Sequence, residues 1–217
     1  MRSAEATIRT LIVFGCPPIA GQCKTRLAQS IGGEQAARLY AAFLRDACLL
    51  GRVADRRVLA VTKPHPLFAE LAREYDMTVV EQRGEDLGAR MRHALTDELG
   101  HGPTCLIGSD APTIPAEYLT QAFSLLADRE VVIGPATDGG YWMIGARATA
   151  PDVFSNISWS TESVLQTTLT RLKGQRVGLL PFHYDIDSFG DLELLRAHLY
   201  LLPESIAPHT RHALRSL

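Results

Sequence analysis

Apolar runs of strand length alternate along this chain with stretches that have a helical period. The strand-like runs cover residues 10–14, 57–61, 78–80, 104–107, 131–133 and 141–144. Helical patterns lie between the first five runs, over 34–50, 66–75, 87–99 and 115–127. This alternation with short connections predicts an α/β fold. Runs that are apolar throughout, such as 11–14, predict strands with helices on both faces.

The pattern becomes less regular after residue 146. It predicts a helix over 161–172, a strand over 177–182 and a last helix over 189–202, which Pro203 ends. Residues 206–217 read as a tail or a short helix. No repeat, low-complexity segment or linker interrupts the chain. Its 217 residues, 46% of them hydrophobic, suffice for one core, so we expect a single domain over 1–217.

Composition excludes several classes of protein. A net charge of −2 argues against a general nucleic-acid binder, which carries a basic excess. No apolar stretch is long enough to cross a bilayer, and residues 1–10 lack the pattern of a signal peptide, so we expect a cytoplasmic protein without membrane insertion. The four cysteines form no CxxC pair and lie near no His, which disfavours a zinc site or a disulfide framework.

A glycine-containing basic loop, Gly15–Leu27, connects the first predicted strand to the first helical stretch. Gly21 together with the cations Lys24 and Arg26 predicts binding of an anionic group such as phosphate. The spacing of its glycines is not that of a P-loop, and Pro17 and Pro18 have no N–H to donate. The alternative interpretation is a surface loop whose cations are solvated.

Two acidic segments follow predicted strands. Gly108, Ser109 and Asp110 come directly after the run 104–107, and Asp187 follows the strand over 177–182. Carboxylates from separate strand ends can hold Mg²⁺ or Mn²⁺, which prefer hard oxygen ligands and share them with phosphates. Aspartate is also common in turns and helix caps, which is the alternative for both. Asp185 is undecided, because alternation in an extended segment points it away from Asp187.

Two glycine-containing clusters add to this set. Gly84, Asp86 and Gly88 precede or open the helix over 87–99, where glycine lets the backbone approach a bulky ligand. The segment Asp138–Tyr141 follows a strand and is also a good signal for an ordinary hairpin turn.

The ordered set of motifs resembles a bacterial family of uncharacterised glycosyltransferase-like proteins. The motifs are Lys24–Leu27, Gly84–Met91, Ser109–Pro112, Gly134–Tyr141, Trp159–Thr161 and Asp185–Asp187. That family is similar to the 2-phospholactate and molybdenum-cofactor guanylyltransferases of the nucleotide-diphospho-sugar transferase superfamily. The resemblance runs from about residue 11 to residue 195. It implies a GT-A type three-layer α/β/α sandwich with a mostly parallel central sheet.

The resemblance also implies roles for residues. Phosphates of a nucleotide or nucleotide-sugar would meet Gly21, Lys24 and Arg26, with Asp110 and Asp187 as ligands of Mg²⁺ or Mn²⁺. Lys24, Arg26 and Asp110 would be catalytic. The nucleotide would also contact the segment that holds Gly84, Asp86 and Gly88, together with Ser109. The acceptor or sugar would face Asp138, Gly139, Gly140 and Tyr141. Relatives often carry basic residues where this chain has Cys16 and Gln22.

Four functions remain open at this point. The leading expectation is a metal-dependent enzyme that transfers a glycosyl group from an activated nucleotide to a small-molecule acceptor. The first alternative is a nucleotidyltransferase that releases pyrophosphate, and the second is a non-catalytic nucleotide-binding domain. A haloacid-dehalogenase-type phosphotransferase is disfavoured, because no lysine follows the acidic segment 185–188. A homodimer is possible.

Overall fold

A computed structural model describes residues 7–217. The expectation about a signal peptide concerns residues 1–10, and six of those lie outside the described residues. Within residues 7–217, no helix is both long and apolar enough to cross a membrane.

Seven strands form one sheet in the order β3-β2-β1-β4-β6-β5-β7. The strands are β1 (Thr10–Gly15), β2 (Arg56–Val61), β3 (Thr78–Glu81), β4 (Thr104–Ile107), β5 (Val131–Pro135), β6 (Tyr141–Ala146) and β7 (Val177–Leu179). All neighbouring pairs are parallel except the two that involve β6. The other six strands therefore end at the same edge of the sheet, which is where ligands bind in open α/β sheets.

In the described part of the chain, eight α-helices cover the two faces of this sheet or pack on its flanks. They are α1 (Thr25–Ile31), α2 (Gly33–Leu50), α3 (Pro66–Tyr75), α4 (Leu87–Leu99), α5 (Ala116–Leu125), α6 (Val164–Arg171), α7 (Phe189–Leu201) and α8 (Pro208–Leu214). This is the predicted three-layer α/β/α sandwich with a mostly parallel sheet.

The side chains of β1 show why both faces must be covered. Leu11 and Val13 point into one apolar core, whereas Ile12 and Phe14 point into the other. The period of two along a strand sends successive side chains to opposite faces, so an uninterrupted apolar run requires a helical layer on each side.

The end of the chain differs in detail from the prediction. The strand predicted over 177–182 ends at Leu179, because Pro181 has no N–H with which to extend the ladder. Residues 208–214 form a helix whose N-terminus is held by Asp46, since that buried carboxylate accepts hydrogen bonds from the N–H groups of His209 and Thr210.

Candidate functional site

Lys24 joins the two acidic segments at the carboxyl edge of the sheet. Its ammonium lies 2.5 Å from Oδ1 of Asp110 and 2.9 Å from Oδ1 of Asp187. Arg26 contacts the second oxygen of Asp187 at 2.6 Å. The Lys24 side chain is 5% exposed, whereas that of Arg26 is 70% exposed. The four residues predicted to bind phosphate or metal through side chains therefore form one cluster.

The basic loop holds Lys24 through its own turn. The N–H groups of Gln22 and Cys23 both donate to the carbonyl of Ile19, and Lys24 adopts a left-handed φ of 48° directly before α1. These two amides are occupied by the loop itself. Anion binding by this loop therefore has to come mainly from the side chains of Lys24 and Arg26.

Backbone contacts bring Asp110 and Asp187 together although 77 positions separate them in the sequence. The N–H of Ile186 donates to the carbonyl of Asp110 at 2.9 Å. Asp187 is held from the other side, because its N–H donates to the carboxylate of Asp191 in the capping box that Ser188 and Asp191 form at the start of α7. The predicted helix-cap role thus belongs to Ser188, which leaves the Asp187 side chain free for the cluster.

The charges of the cluster shift the pKa values of its members. Burial alone would lower the pKa of Lys24, but the carboxylates of Asp110 and Asp187 outweigh it and raise that pKa. Burial would raise the pKa of Asp187, but the positive charges of Lys24 and Arg26 outweigh burial and lower that pKa. Burial and the charges of Asp110 and Asp138 raise the pKa of Asp185 to about 7. Negative charge is in excess here.

The donor set fits a divalent cation of the Mg²⁺ type. One carboxylate oxygen from Asp110 and one from Asp187 already surround a single positive charge, the ammonium of Lys24, at 2.5 and 2.9 Å. Within residues 7–217, no group of three or more His, Cys, Asp or Glu side chains is arranged to hold a metal ion. Mg²⁺ does not need such a group, since it is commonly bound by one or two carboxylates, water and substrate phosphates.

Tyr40 supports the cluster from α2 and was not predicted from the sequence. Its hydroxyl lies 2.8 Å from Oγ of Ser109 and accepts a hydrogen bond from the N–H of Cys16 at 3.1 Å. The Lys24 ammonium lies 5.8 Å from the centre of the Tyr40 ring. Tyr40 thus ties the end of β1 to the end of β4, and no local sequence pattern marks a tyrosine inside a helix for this role.

A cavity of about 320 Å³ lies beside the cluster at the carboxyl ends of β1, β2 and β4. Ser109, Asp110 and Tyr141 line it. Tyr141, which was predicted to lie on the sugar side, thus shares one cavity wall with Ser109 and Asp110, which were predicted to contact the nucleotide or the metal. Its wall is largely apolar. Gln82 and Arg90 also line the cavity and were missed, although the position of Gln82 directly after β3 is the same signal that singled out Asp110.

A second space, a cleft of about 600 Å³, opens on the other side of Asp187. Asp138, Asp185 and Arg26 contribute to its walls. Asp185, which the sequence leaves undecided, lines both the cleft and the cavity. The reason is that residues 185–187 follow β7 as an irregular segment, which is not bound to strand alternation.

In the segment Asp138–Tyr141, the first three residues belong to the turn between β5 and β6, and Tyr141 begins β6. Asp138 accepts a hydrogen bond from the N–H of Gly140 at 2.9 Å, and Gly139 has a φ of +90° with the backbone of Glu162 against it. The hydroxyl of Tyr141 is buried without a hydrogen-bond partner among the described residues. The hairpin interpretation is therefore confirmed, and the turn also borders the cleft and the cavity.

Four residues predicted to contact the nucleotide, Gly21, Gly84, Asp86 and Gly88, lie outside the two spaces described above. Gly21 lies exposed in the loop with a φ of +76°. Asp86 caps α4 by accepting a hydrogen bond from the N–H of Ala89 at 2.7 Å. A side chain at Gly84 would meet the backbone of residues 89–90, and one at Gly88 would meet the Trp159 ring. None of the four lines either the cavity or the cleft.

This fold is of the nucleotide-diphospho-sugar transferase type. It is similar to a candidate nucleotide-diphospho-sugar transferase from Desulfovibrio desulfuricans G20, with 30% identity over 96% of this chain and 94% of that one and a TM-score of 0.87. The family model described as "Uncharacterized protein conserved in bacteria (DUF2064)" matches residues 44–161. The chain belongs to that family.

More distant structures share the fold. A cytidylyltransferase from Leptospira borgpetersenii is 12% identical, with coverage of 97% of this chain and 94% of that one and a TM-score of 0.63. A 4-diphosphocytidyl-2C-methyl-D-erythritol synthase from Anaerococcus prevotii is 10% identical, with coverage of 89% and 96% and a TM-score of 0.59. No curated protein matches the chain. The acidic segment 185–188, on which the phosphotransferase alternative rested, follows the edge strand β7.

Proposed function

We propose that the chain is a single-domain, metal-dependent transferase that moves a glycosyl group from a nucleotide-sugar to a small-molecule acceptor. The observation that carries this proposal is the position of the Lys24 ammonium between Asp110 and Asp187. Two carboxylates from separate strand ends share one positive charge there, and two cations lie at the same place. A metal-bound diphosphate needs both kinds of group.

The spaces around the cluster suggest where the parts of the substrates would lie. The cavity of about 320 Å³ suits the nucleoside, since its walls are largely apolar with a few polar groups. The cleft of about 600 Å³ suits a polyhydroxylated sugar or acceptor, because the carboxylates of Asp138 and Asp185 can accept hydrogen bonds from hydroxyl groups. The diphosphate would lie between these spaces, beside Asp110 and Asp187.

Each charged group has a definite task in such a transfer. Asp110 and Asp187 would hold Mg²⁺ or Mn²⁺, which neutralises phosphate charge and stabilises the departing diphosphate. Lys24, displaced from the carboxylates, would donate to a phosphate oxygen. Arg26 is exposed enough to reach the phosphate that gains charge as the glycosidic bond breaks.

The balance of charge favours a diphosphate over a triphosphate. Six carboxyl groups line the cluster and the adjoining cleft, at Asp110, Asp138, Glu162, Asp185, Asp187 and Asp191, against the cations Lys24 and Arg26. The site therefore carries an excess of negative charge before a ligand binds. A nucleotide-sugar brings two negative charges, which one divalent metal ion balances, whereas a nucleoside triphosphate brings about four.

Nucleotidyl transfer is the second candidate. The exposed guanidinium of Arg26 favours it, because a bidentate cation at the mouth of the site can also stabilise pyrophosphate as a leaving group. This is the type of reaction that the resemblance to guanylyltransferases implies.

Product analysis separates these reactions. The protein is incubated with nucleotide-sugars or nucleoside triphosphates, MgCl₂ or MnCl₂, and a deproteinised bacterial extract as the source of acceptors. Asp110→Asn is compared with Asp128→Asn, a matched change of an exposed carboxylate before β5 at the opposite edge of the sheet. Metal-dependent release of a nucleoside diphosphate, lost only in Asp110→Asn, is the expected result. Release of pyrophosphate would establish the second candidate, and binding without turnover would contradict both.

A further inference from the structure

Helix α7 is apolar on two opposite faces. Leu192, Leu195 and Leu199 are buried, and their spacing of three and four positions turns all three toward the core. A helix that packs on the core with one face usually carries polar residues on the other. The residues opposite the buried leucines in α7 follow one another at intervals of four, three and four positions, and all are exposed. This outer stripe consists of Gly190, Leu194, Ala197 and Leu201.

The outer stripe and its flank expose a large apolar surface. Leu201 is 81% exposed and Leu194 is 52% exposed, while Tyr200 and Phe189 on one flank of the stripe are 91% and 46% exposed. Two aromatic and two aliphatic side chains at these fractions amount to about 500 Å². Apolar patches of that size on globular proteins are often interaction surfaces.

The charged residues on the same flank compensate each other. Nη1 of Arg196 donates to Oε1 of Glu193 at 2.9 Å within one turn of α7. This flank therefore has no excess of either charge. A partner that is recognised by its charge, such as a nucleic acid, would need such an excess. A second copy of the chain, in contrast, meets no repulsion between like charges here.

The outer stripe is complementary in shape to itself when two copies of α7 pack antiparallel. Small residues and leucines alternate along it. In the reversed direction Leu201 faces Gly190 of the second copy, and Leu194 faces Ala197 of the second copy, so that each leucine meets a small residue. Interdigitation of large and small side chains is how two helices fill the space between them. A single two-fold axis generates both halves of this pairing.

We propose that the outer stripe of α7 is the interface of a two-fold symmetric homodimer with antiparallel α7 helices. Two copies would bury about 1,000 Å² of surface, which is the lower limit for a specific interface. Tyr200 of one copy would lie at the level of Glu193 of the other, whose carboxylate can accept a hydrogen bond from the phenol. Because α7 begins directly after Ser188, which lines the cleft, the second copy would also lie close to the cleft.

Sedimentation equilibrium over a range of protein concentrations tests the dimer. The wild type is expected to be dimeric. Leu201→Glu should weaken dimerisation about tenfold or more, because the burial of a leucine is lost and a charge enters the interface. Val79→Glu, a corresponding change at an exposed apolar residue of the edge strand β3, is the control and should stay dimeric. A wild type that is monomeric at every concentration, or a dimer that Leu201→Glu leaves unchanged, would overturn the proposal.

A third variant tests the antiparallel pairing itself. Gly190→Leu fits the single copy, because the nearest atom to an added Cβ among the described residues is Oγ of Ser188 at 3.7 Å. The new side chain would collide with Leu201 of the second copy. The variant should therefore dimerise more weakly than the wild type, although its surface is more apolar. Tighter association of Gly190→Leu would indicate contact through apolar surface alone and would contradict the antiparallel pairing.

Discussion

The ammonium of Lys24 lies 2.5 Å from Oδ1 of Asp110, so the cation expected to bind phosphate is paired with the carboxylate expected to bind metal. Each group compensates the charge of the other. The Lys24 side chain is almost completely buried, whereas that of Asp110 is partly exposed. A metal-bound nucleotide can replace this pairing completely, because the metal takes the carboxylate and the phosphate takes the ammonium. The same contact thus stabilises the ligand-free site and holds both groups where a ligand needs them.

Replacement of Lys24 by methionine should make the protein respond to metal alone. Asp110 and Asp187 would lose the charge between them, and we expect a loss of about 2 kcal/mol in the free energy of unfolding, since both carboxylates are partly exposed. MnCl₂ should raise the melting temperature of Lys24→Met more than that of the wild type. Lys173→Met, an exposed change, is the control. An equal response to MnCl₂ in the three proteins would contradict the proposed position of the metal.

Replacement of Gly88 by alanine should destabilise the fold. An added Cβ would collide with the carbonyl of Phe154 and the ring of Trp159, and overpacking of this kind costs about 1–3 kcal/mol. Gly100→Ala, at a glycine with open space around it, is the matched control. Denaturant unfolding followed by tryptophan fluorescence measures both. A normal stability combined with weak nucleotide binding would instead establish Gly88 as a ligand contact.

His183 should make stability depend on pH below neutrality. Burial, and secondly the charge of His198, lower its pKa from 6.5 to about 4 in the folded protein. Between those values the unfolded chain binds a proton that the folded chain does not, so stability falls as the pH decreases from 6.5 to 4. The shift corresponds to about 3 kcal/mol.

The corresponding measurement compares His183→Asn with the wild type by urea unfolding across that range. The difference in unfolding free energy between the two proteins should shrink toward pH 4, because only the wild type loses the contribution of His183. His212→Gln, at an exposed histidine, should follow the wild type. A difference that stays constant with pH would show that His183 titrates normally.

The sequence predicts the bounds of a strand accurately where all residues of that strand are buried. β1 and β4 consist of consecutive buried residues, and their predicted bounds agree with the structure to within one residue. The prediction is less accurate where a local contact overrides the pattern. The helix predicted from 161 begins at Val164, because Thr161 bonds the carbonyl of Ser158 and the hydroxyl of Ser163 in a separate turn.

The site is predictable only in part for a related reason. Lys24, Asp110 and Asp187 follow strand ends or begin a helix, so the rule for open α/β sheets places them at one edge. Their pairing, and the hydrogen bonds that orient Tyr40, depend on contacts between distant segments. The glycines at 84 and 88 suggest a ligand, but neighbouring side chains and backbone require them for packing.

Calorimetric binding of a nucleoside diphosphate with and without Mg²⁺ tests the central claim most directly. The protein is titrated with GDP and with UDP as wild type, Asp110→Asn and Asp128→Asn. We predict binding that requires Mg²⁺ in the wild type and in Asp128→Asn and is weakened about tenfold or more in Asp110→Asn, since a charged metal ligand is lost. Binding of equal strength in all three proteins, with or without Mg²⁺, would contradict a metal-bound diphosphate at Asp110 and Asp187.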